Sequence, residues 1–79
     1  MNIEVELFYD LTKYLPLGSK NRKCSISIED GLTIQELANR MGLPPEMPKI
    51  ILVNGVRPQN GMKLQEGDIV TIFPPIAGG

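Results

Sequence analysis

The stretch "LQEGDIVTIFPPIAGG", residues 64–79, contains the last predicted strand of the chain and all that follows it. Residues 69–73 are apolar at nearly every position. Such a strand is usually central in its sheet, either covered on both faces or covered on one face and used for binding on the other. Residues 64–68 (Leu-Gln-Glu-Gly-Asp) are a turn that leads into it, and the pair Pro74-Pro75 ends it.

Two segments near the N-terminus alternate between apolar and more polar residues, as strands with one buried face do. Their apolar members are Ile3, Val5 and Leu7 in the first and Cys24, Ile26 and Ile28 in the second. Between them, Asp10 is predicted to cap a short helical turn over residues 11–15, which Pro16 ends. Residues 29–31 (Glu-Asp-Gly) stop the second strand.

The main helix is predicted to begin at Thr33, because Thr33 and Glu36 have the TxxE spacing in which each side chain caps the other's backbone N–H. Its apolar positions recur at helical spacing and are Ile34, Leu37, Ala38 and Met41. Gly42 takes the left-handed closing position, and Leu43 makes the apolar contact that follows it.

A third strand over residues 50–53 runs into Asn54-Gly55, a pair suited to a tight hairpin turn, after which Val56 starts a short return. The resulting order of elements predicts an α+β fold of the β-grasp, ubiquitin-like type over residues 1–73. In this fold a mixed sheet of four to five strands packs on one main helix, with the first and last strands side by side. Residues 74–79 are predicted to form a flexible C-terminal tail that ends in Gly-Gly.

Composition excludes several classes of function. The 79 residues carry a formal net charge of −1, which offers no basic surface for nucleic acid. The chain has one cysteine and no histidine, so we expect no metal site, no hydrolytic triad and a buried core thiol at Cys24. The longest apolar run is far shorter than the roughly 20 residues that cross a bilayer, and residues 1–4 lack the basic start of a signal peptide. We therefore expect a cytoplasmic protein with no membrane partner.

The order of elements, the turn at residues 64–68, the segment "DIVTIFPPIAGG" and the final Gly78-Gly79 resemble the MoaD/ThiS family of ubiquitin-like sulfur carriers. The resemblance is greatest to MoaD, the small subunit of molybdopterin synthase. Two segments differ from the usual pattern: residues 11–15 lack the Arg-Glu pair that family members often carry, and "GLPPEMPKIILVNG" is similar to MoaD-like proteins outside the main molybdopterin synthase group.

The resemblance implies that Gly79 is the reactive residue. A partner adenylyltransferase of the MoeB/ThiF type would use ATP to adenylate its carboxylate. A sulfur donor of the cysteine desulfurase or rhodanese type would then displace AMP and leave a thiocarboxylate. In a complex with a MoaE-like large subunit, this thiocarboxylate would supply sulfur for the molybdenum cofactor. The chain would bind no cofactor and would be a non-catalytic subunit.

Two alternatives stay open. The sulfur acceptor could belong to another pathway, leading to thiazole, cysteine or a tungsten cofactor. In a different class of function, the chain would be a ubiquitin-like modifier that becomes linked through Gly79 to lysines of target proteins.

The tail suits either chemistry. Glycine has no Cβ, so the carbonyl of Gly79 is open to attack. Each proline of the pair holds φ at about −65° and favours an extended course of about 3.1 Å per residue. At that rise the six residues from 74 to 79 reach roughly 18–20 Å, enough to enter a partner's active site. The predicted tail-binding residues are Gly78, Ala77, Ile76, Pro75 and Pro74.

A partner patch is predicted beside the tail. If Val70 and Ile72 face the helix, Phe73 lies on the opposite face, which Phe8 borders. The resemblance to ubiquitin, aligned from Gly79 backwards and on Asn54-Gly55, implies that Leu52 joins Phe73 there. Four acidic residues offer either a docking rim or an ordinary solvated face and turn; these are Glu4, Glu6, Glu66 and Asp68.

Overall fold

A mixed four-stranded sheet and one α-helix make up most of the computed structural model, which describes residues 1–75 of the chain. The strands are β1 (Asn2–Leu7), β2 (Lys23–Ser27), β3 (Ile50–Val53) and β4 (Ile69–Phe73); helix α1 spans Ile34–Arg40, and a 3-10 helix spans Tyr9–Tyr14.

The strands lie in the order β2-β1-β4-β3. The two central strands, β1 and β4, run parallel, whereas β2 pairs antiparallel with β1 and β3 pairs antiparallel with β4. This arrangement confirms the predicted α+β β-grasp fold, with the first and last strands side by side. The sheet has four strands over the described residues, since Val56 makes only an isolated bridge to Val53.

One face of the sheet supplies the core. Val5 and Leu7 of β1 and Val70 and Ile72 of β4 are fully buried and belong to the same apolar cluster as Leu37 of α1. The alternation predicted from the sequence therefore identifies correctly which side chains of the two central strands face the core. Burial of these side chains is the main favourable contribution to folding.

The edge strand β2 is less well covered than predicted. Cys24 and Ile26 face the core side but are only half-buried, so the expectation of a buried core thiol at Cys24 is wrong in degree. The reason is position in the sheet, because an edge strand has a neighbour on one side only. The partial burial still raises the pKa of the Cys24 thiol through desolvation.

Helix α1 has the predicted caps. The Thr33 hydroxyl accepts a hydrogen bond from the Glu36 N–H at 3.2 Å, and the Glu36 carboxylate accepts one from the Thr33 N–H at 2.9 Å. At the other end, Gly42 has φ +87°, and the Leu43 N–H reaches back to the Ala38 carbonyl at 3.1 Å. Both ends are therefore closed by local contacts.

The short helix after β1 differs from the prediction. Residue Phe8 is its N-cap, no side chain caps it, and Asp10 lies inside its first turn, so the predicted Asp10 cap is wrong. The cause is the sheet: the Phe8 N–H bonds to the Ile72 carbonyl at 3.1 Å, which extends the pairing with β4 by one residue. The chain then turns at Tyr9, which has a left-handed φ of +57°.

The hairpin after β3 forms as predicted. Asn54 and Gly55 both have positive φ, at +54° and +83°. These values suit a tight two-residue turn, whose twist matches that of the flanking chain.

Candidate functional site

The face of the sheet opposite the helix carries the candidate site. Since Val70 and Ile72 are buried on the helix side, the alternate residues of β4 lie on the outer face. Ile69 is 44% exposed there, and Thr71 and Phe73 are half-buried. The predicted facing of β4 is therefore confirmed, and its outer face is apolar and accessible.

Phe8 and Phe73 come together at one end of this face. β1 and β4 pair in parallel up to Leu7 and Ile72, so the next residue of each strand follows side by side. The two rings are 6.5 Å apart between centroids and nearly perpendicular, at 85°, a favourable edge-to-face arrangement. The end of the β1–β4 pair thus presents an aromatic surface directly before Pro74.

Two residues near this pair were missed by sequence reasoning. The Arg22 guanidinium lies 5.1 Å from the centroid of the Phe8 ring, and the Tyr9 ring lies 6.3 Å from it. Tyr9 is 62% exposed and continues the aromatic surface outward. Their proximity follows from the turn at Tyr9 and from the β1–β2 pairing, and neighbouring residues in the sequence predict neither feature.

The third predicted member, Leu52, lies on the same outer face but one pair further along. The β3–β4 register places Leu52 opposite Thr71 and Ile50 opposite Phe73. Ile50 is therefore the direct cross-strand neighbour of Phe73, and sequence reasoning missed it. We call Phe8, Ile50, Leu52 and Phe73 the outer patch.

Two of the four acidic candidates have structural partners. The Asp68 carboxylate is buried and accepts hydrogen bonds from the Asn54 side-chain N–H at 3.0 Å and the Gln65 backbone N–H at 2.9 Å. Glu66 accepts a hydrogen bond from the Asn2 backbone N–H at 2.9 Å. For these two, the turn interpretation is the one that the geometry favours.

The other two, Glu4 and Glu6, lie on β1 opposite Ile69 and Thr71 of β4. They are half-buried on the outer face, beside the outer patch. Lys23 of β2 is the cross-strand partner of Glu6, so this side of the outer face carries charges of both signs.

The tail begins at this end of the sheet. Pro74 is half-buried and Pro75 is exposed directly after Phe73. The remaining tail residues, Ile76, Ala77, Gly78 and Gly79, lie outside the described residues, and their roles stay predictions.

Within residues 1–75, no three His, Cys, Asp or Glu side chains are grouped so as to hold a metal ion. Over the same residues, none of the helices has the length and hydropathy needed to span a bilayer.

Several solved structures have the same fold. SAMP1 from Haloferax volcanii matches with a TM-score of 0.73 and 24% identity, covering 100% of both chains. A Pyrococcus furiosus protein assigned as subunit 1 of a molybdopterin converting factor matches with a TM-score of 0.74 and 19% identity, covering 95% of this chain and 98% of that one. No curated protein matches the sequence.

A third match comes from a complex of subunits 1 and 2 of the molybdopterin-converting factor of Helicobacter pylori, with a TM-score of 0.62, 23% identity and full coverage of both chains. These similarities confirm the ubiquitin-like fold and the resemblance to MoaD-type proteins. A family model described as Mut7-C ubiquitin matches residues 1–77, nearly the whole sequence. The chain therefore belongs to the Mut7-C ubiquitin family.

Proposed function

We propose that this protein is a ubiquitin-like sulfur carrier that is charged at the carboxylate of Gly79. The observation that carries the proposal is the position of Pro74 and Pro75, which leave the central strand β4 directly beside the half-buried pair of Phe8 and Phe73. A partner that docks on the outer patch would receive the tail at the rim of the same contact. The similarity to MoaD-type folds supports this interpretation.

The chemistry requires partner enzymes. An adenylyltransferase of the MoeB/ThiF type would join the Gly79 carboxylate to the α-phosphate of ATP and release pyrophosphate. The terminal sulfur of a donor's persulfide would attack the activated carbonyl and expel AMP. A second thiol would then cleave the resulting S–S bond, leaving a thiocarboxylate on Gly79 and a disulfide on the donor side.

This chain contributes recognition and access to these steps. Glycine leaves the carbonyl unobstructed, and the two prolines remove backbone donors that would let the tail fold back on the sheet. The outer patch supplies apolar contact area, and the charged side chains beside it, Glu4, Glu6, Arg22 and Lys23, give a partner groups of both signs to pair with. We expect charging to occur in the cytoplasm, where ATP and reduced thiols are available.

For the sulfur acceptor, we favour the precursor of molybdopterin, bound to a MoaE-like large subunit that covers the outer patch. This choice rests on the two structural neighbours from molybdopterin converting factors, one of which is a complex of two subunits.

A second candidate function is protein modification, in which a lysine of a target protein attacks the activated Gly79. It is favoured by one observation, the similarity to small archaeal modifier protein 1 of H. volcanii. Both functions share the adenylated intermediate and differ in the nucleophile that receives it.

Intact-mass spectrometry of the protein isolated from its own cells tests the proposal. A sulfur carrier gains the mass that corresponds to exchange of one oxygen for one sulfur at Gly79. A modifier instead appears in larger conjugates that release Gly79-linked lysine peptides on digestion. If Gly79 is found only as a carboxylate, even with the activating enzyme, ATP and sulfur donor present, the proposed function is wrong.

A further inference from the structure

The β2 edge of the sheet has open backbone groups. Met1 and Ile28 exchange backbone hydrogen bonds at 2.7 Å, and the Leu7 N–H bonds to the Arg22 carbonyl. In an antiparallel pair of strands, hydrogen-bonded and non-hydrogen-bonded residue pairs alternate. The backbone N–H and C=O groups of Cys24 and Ile26 therefore point toward β1, and those of Ser25 and Ser27 point away from the sheet. Within residues 1–75, no strand pairs with this edge.

An apolar groove of about 450 Å³ runs beside this edge, between β2 and α1. Its walls include Tyr14, Ile26, Leu37 and Met41, together with the backbone segment from Ser25 to Ser27. Leu37 is buried, whereas the other three apolar side chains keep partial exposure although they pack against the core. The groove therefore offers apolar contacts next to unpaired strand hydrogen-bonding groups.

Positive charge lies at the start of β2. Lys20 and Lys23 line a recess that shares Pro16 and Ser25 with the groove, and both lysines are exposed. The Lys13 ammonium lies 5.6 Å from the centroid of the ring of Tyr14, a residue that lines the groove.

Two carboxylates lie near Lys20 and Lys23: Glu4 lines the same recess, and Glu6 is the cross-strand partner of Lys23. A third carboxylate lies at the other end of β2. Glu29 is held by Arg40 through two hydrogen bonds of 2.7 Å, so neither adds net charge to the groove. The start of β2 therefore carries three exposed cations, Lys20, Arg22 and Lys23, against the two carboxylates of Glu4 and Glu6, although the whole chain has a net charge of −1.

We propose that the groove between β2 and α1 binds an extended segment of a partner protein by strand addition to β2. The segment is apolar at alternate positions, which enter the groove, and acidic at the end that meets Lys20 and Lys23. Backbone bonds to Ser25 and Ser27 would give affinity, and the alternate side chains would give specificity. Lysines on an edge strand oppose pairing with a second copy, so a heterologous acidic strand is the better match.

This site is separate from the tail. The outer patch lies on the face of the sheet opposite the groove. The tail follows β4, which β1 separates from β2. The five residues of β2 measure about 17 Å at the usual rise of ~3.3 Å per residue. A segment of that length can bind while a partner engages Gly79, and the proposal does not depend on sulfur chemistry.

The test uses the full chain and a capped heptapeptide, Asp-Asp-Ile-Thr-Val-Thr-Ile, followed by amide NMR. We expect saturable shifts at Ser25 and Ser27 and slower alkylation of Cys24, the single cysteine, because the added strand covers it. A peptide with both aspartates replaced by lysine is the charge control, and we expect it to bind about tenfold more weakly.

Matched variants locate the contact. Ser25→Pro removes the outward N–H and should weaken binding by about tenfold or more, whereas Ser25→Ala, which keeps that N–H, should bind like the parent. Met41→Glu, which puts a charge in the groove, provides a second test if Ser25→Pro fails to fold. The proposal is overturned by an absence of binding, by shifts confined to the outer patch, by equal binding of parent and both variants, or by a free protein that already dimerises through β2.

Discussion

Phe8 and Phe73 meet edge to face, 6.5 Å between ring centroids, although they lie at opposite ends of the described chain. The parallel pairing of β1 with β4 brings them together and continues one residue past Leu7, through the hydrogen bond from the Phe8 N–H to the Ile72 carbonyl. The pair stands where the tail leaves the sheet. A partner that captures the tail therefore has an aromatic contact available next to it.

Replacing Phe73 with Asp should weaken binding to the activating enzyme by more than about tenfold, because a charge would be desolvated within an apolar contact. Stability should fall by no more than about 1.5 kcal/mol, the scale of a lost aromatic pair, since Phe73 lies outside the core cluster. Isothermal titration calorimetry and urea unfolding measure the two effects. Leu17→Asp, at a fully exposed apolar side chain, is the control and should change neither.

Deleting Gly79 should abolish formation of the thiocarboxylate while leaving the thermal midpoint unchanged. The apolar core of the described residues is formed by side chains from Ile3 to Ile72, which the deletion leaves in place. Gly79→Ala is the graded control, which we expect to be charged more slowly because its Cβ crowds the carbonyl. Mass spectrometry and a thermal melt give the two readouts. Full charging of the truncated protein would contradict the role assigned to Gly79.

Asp68→Ala should destabilise the fold by about 1–3 kcal/mol, because the donors of Asn54 and Gln65 lose a buried acceptor. Glu66→Ala is the matched control in the same turn. It removes one exposed hydrogen bond, to Asn2, and should cost less than about 1 kcal/mol. Urea denaturation at neutral pH measures both. Equal losses for the two variants would show that Asp68 is not the residue that organises this turn.

Thr33→Ala should cost about 1 kcal/mol, since it removes the side chain that caps α1. Thr33→Ser retains a hydroxyl at the same place and should restore most of that stability. Comparison of the denaturation midpoints of the two variants checks this expectation. If neither variant changes the denaturation midpoint, the packing of Leu37 and Ala38, and not the cap, determines where the helix starts.

Acid should weaken the fold through two exposed carboxylates. The hydrogen bonds from Arg40 lower the pKa of Glu29 to about 2, and the Thr33 backbone N–H lowers the pKa of Glu36. A lowered pKa means that each contribution is complete above the ordinary value of 4.5 and is lost as the pH falls below it. Both groups are exposed, so salt should reduce the effect.

Stability measured between pH 2 and pH 6 in the parent and in a Glu29→Gln, Glu36→Gln variant tests this dependence. The range covers the interval between the pKa of Glu29 in the folded protein, about 2, and its ordinary value of 4.5. The variant should show a shallower loss in acid, because its side chains at these positions do not titrate. An unchanged slope would place the acid sensitivity elsewhere in the chain.

The elements that sequence reasoning predicted correctly depend on neighbours along the chain. The Thr33–Glu36 capping box, the left-handed Gly42 and the Asn54-Gly55 turn each involve residues within a few positions of one another. The alternation of β1 and the facing of β4 follow from a period of two. Such features are set by backbone geometry and local hydrogen bonding, which are written directly in the order of residues.

The features missed or predicted wrongly depend on contacts between distant segments. Ile50 lies beside Phe73 because of the β3–β4 register. Asp10 is not the N-cap of the 3-10 helix, because the pairing with β4 extends to Phe8 and makes Phe8 the N-cap. Cys24 is only half-buried because β2 is at an edge.

Local order in the chain was thus sufficient to identify the β-grasp fold. The composition of the outer patch and the open groove along β2 arose only when strands far apart in sequence came into register. The physical reason is that strand register reflects the combined burial and hydrogen bonding of the whole sheet, to which no short segment contributes enough to decide it alone.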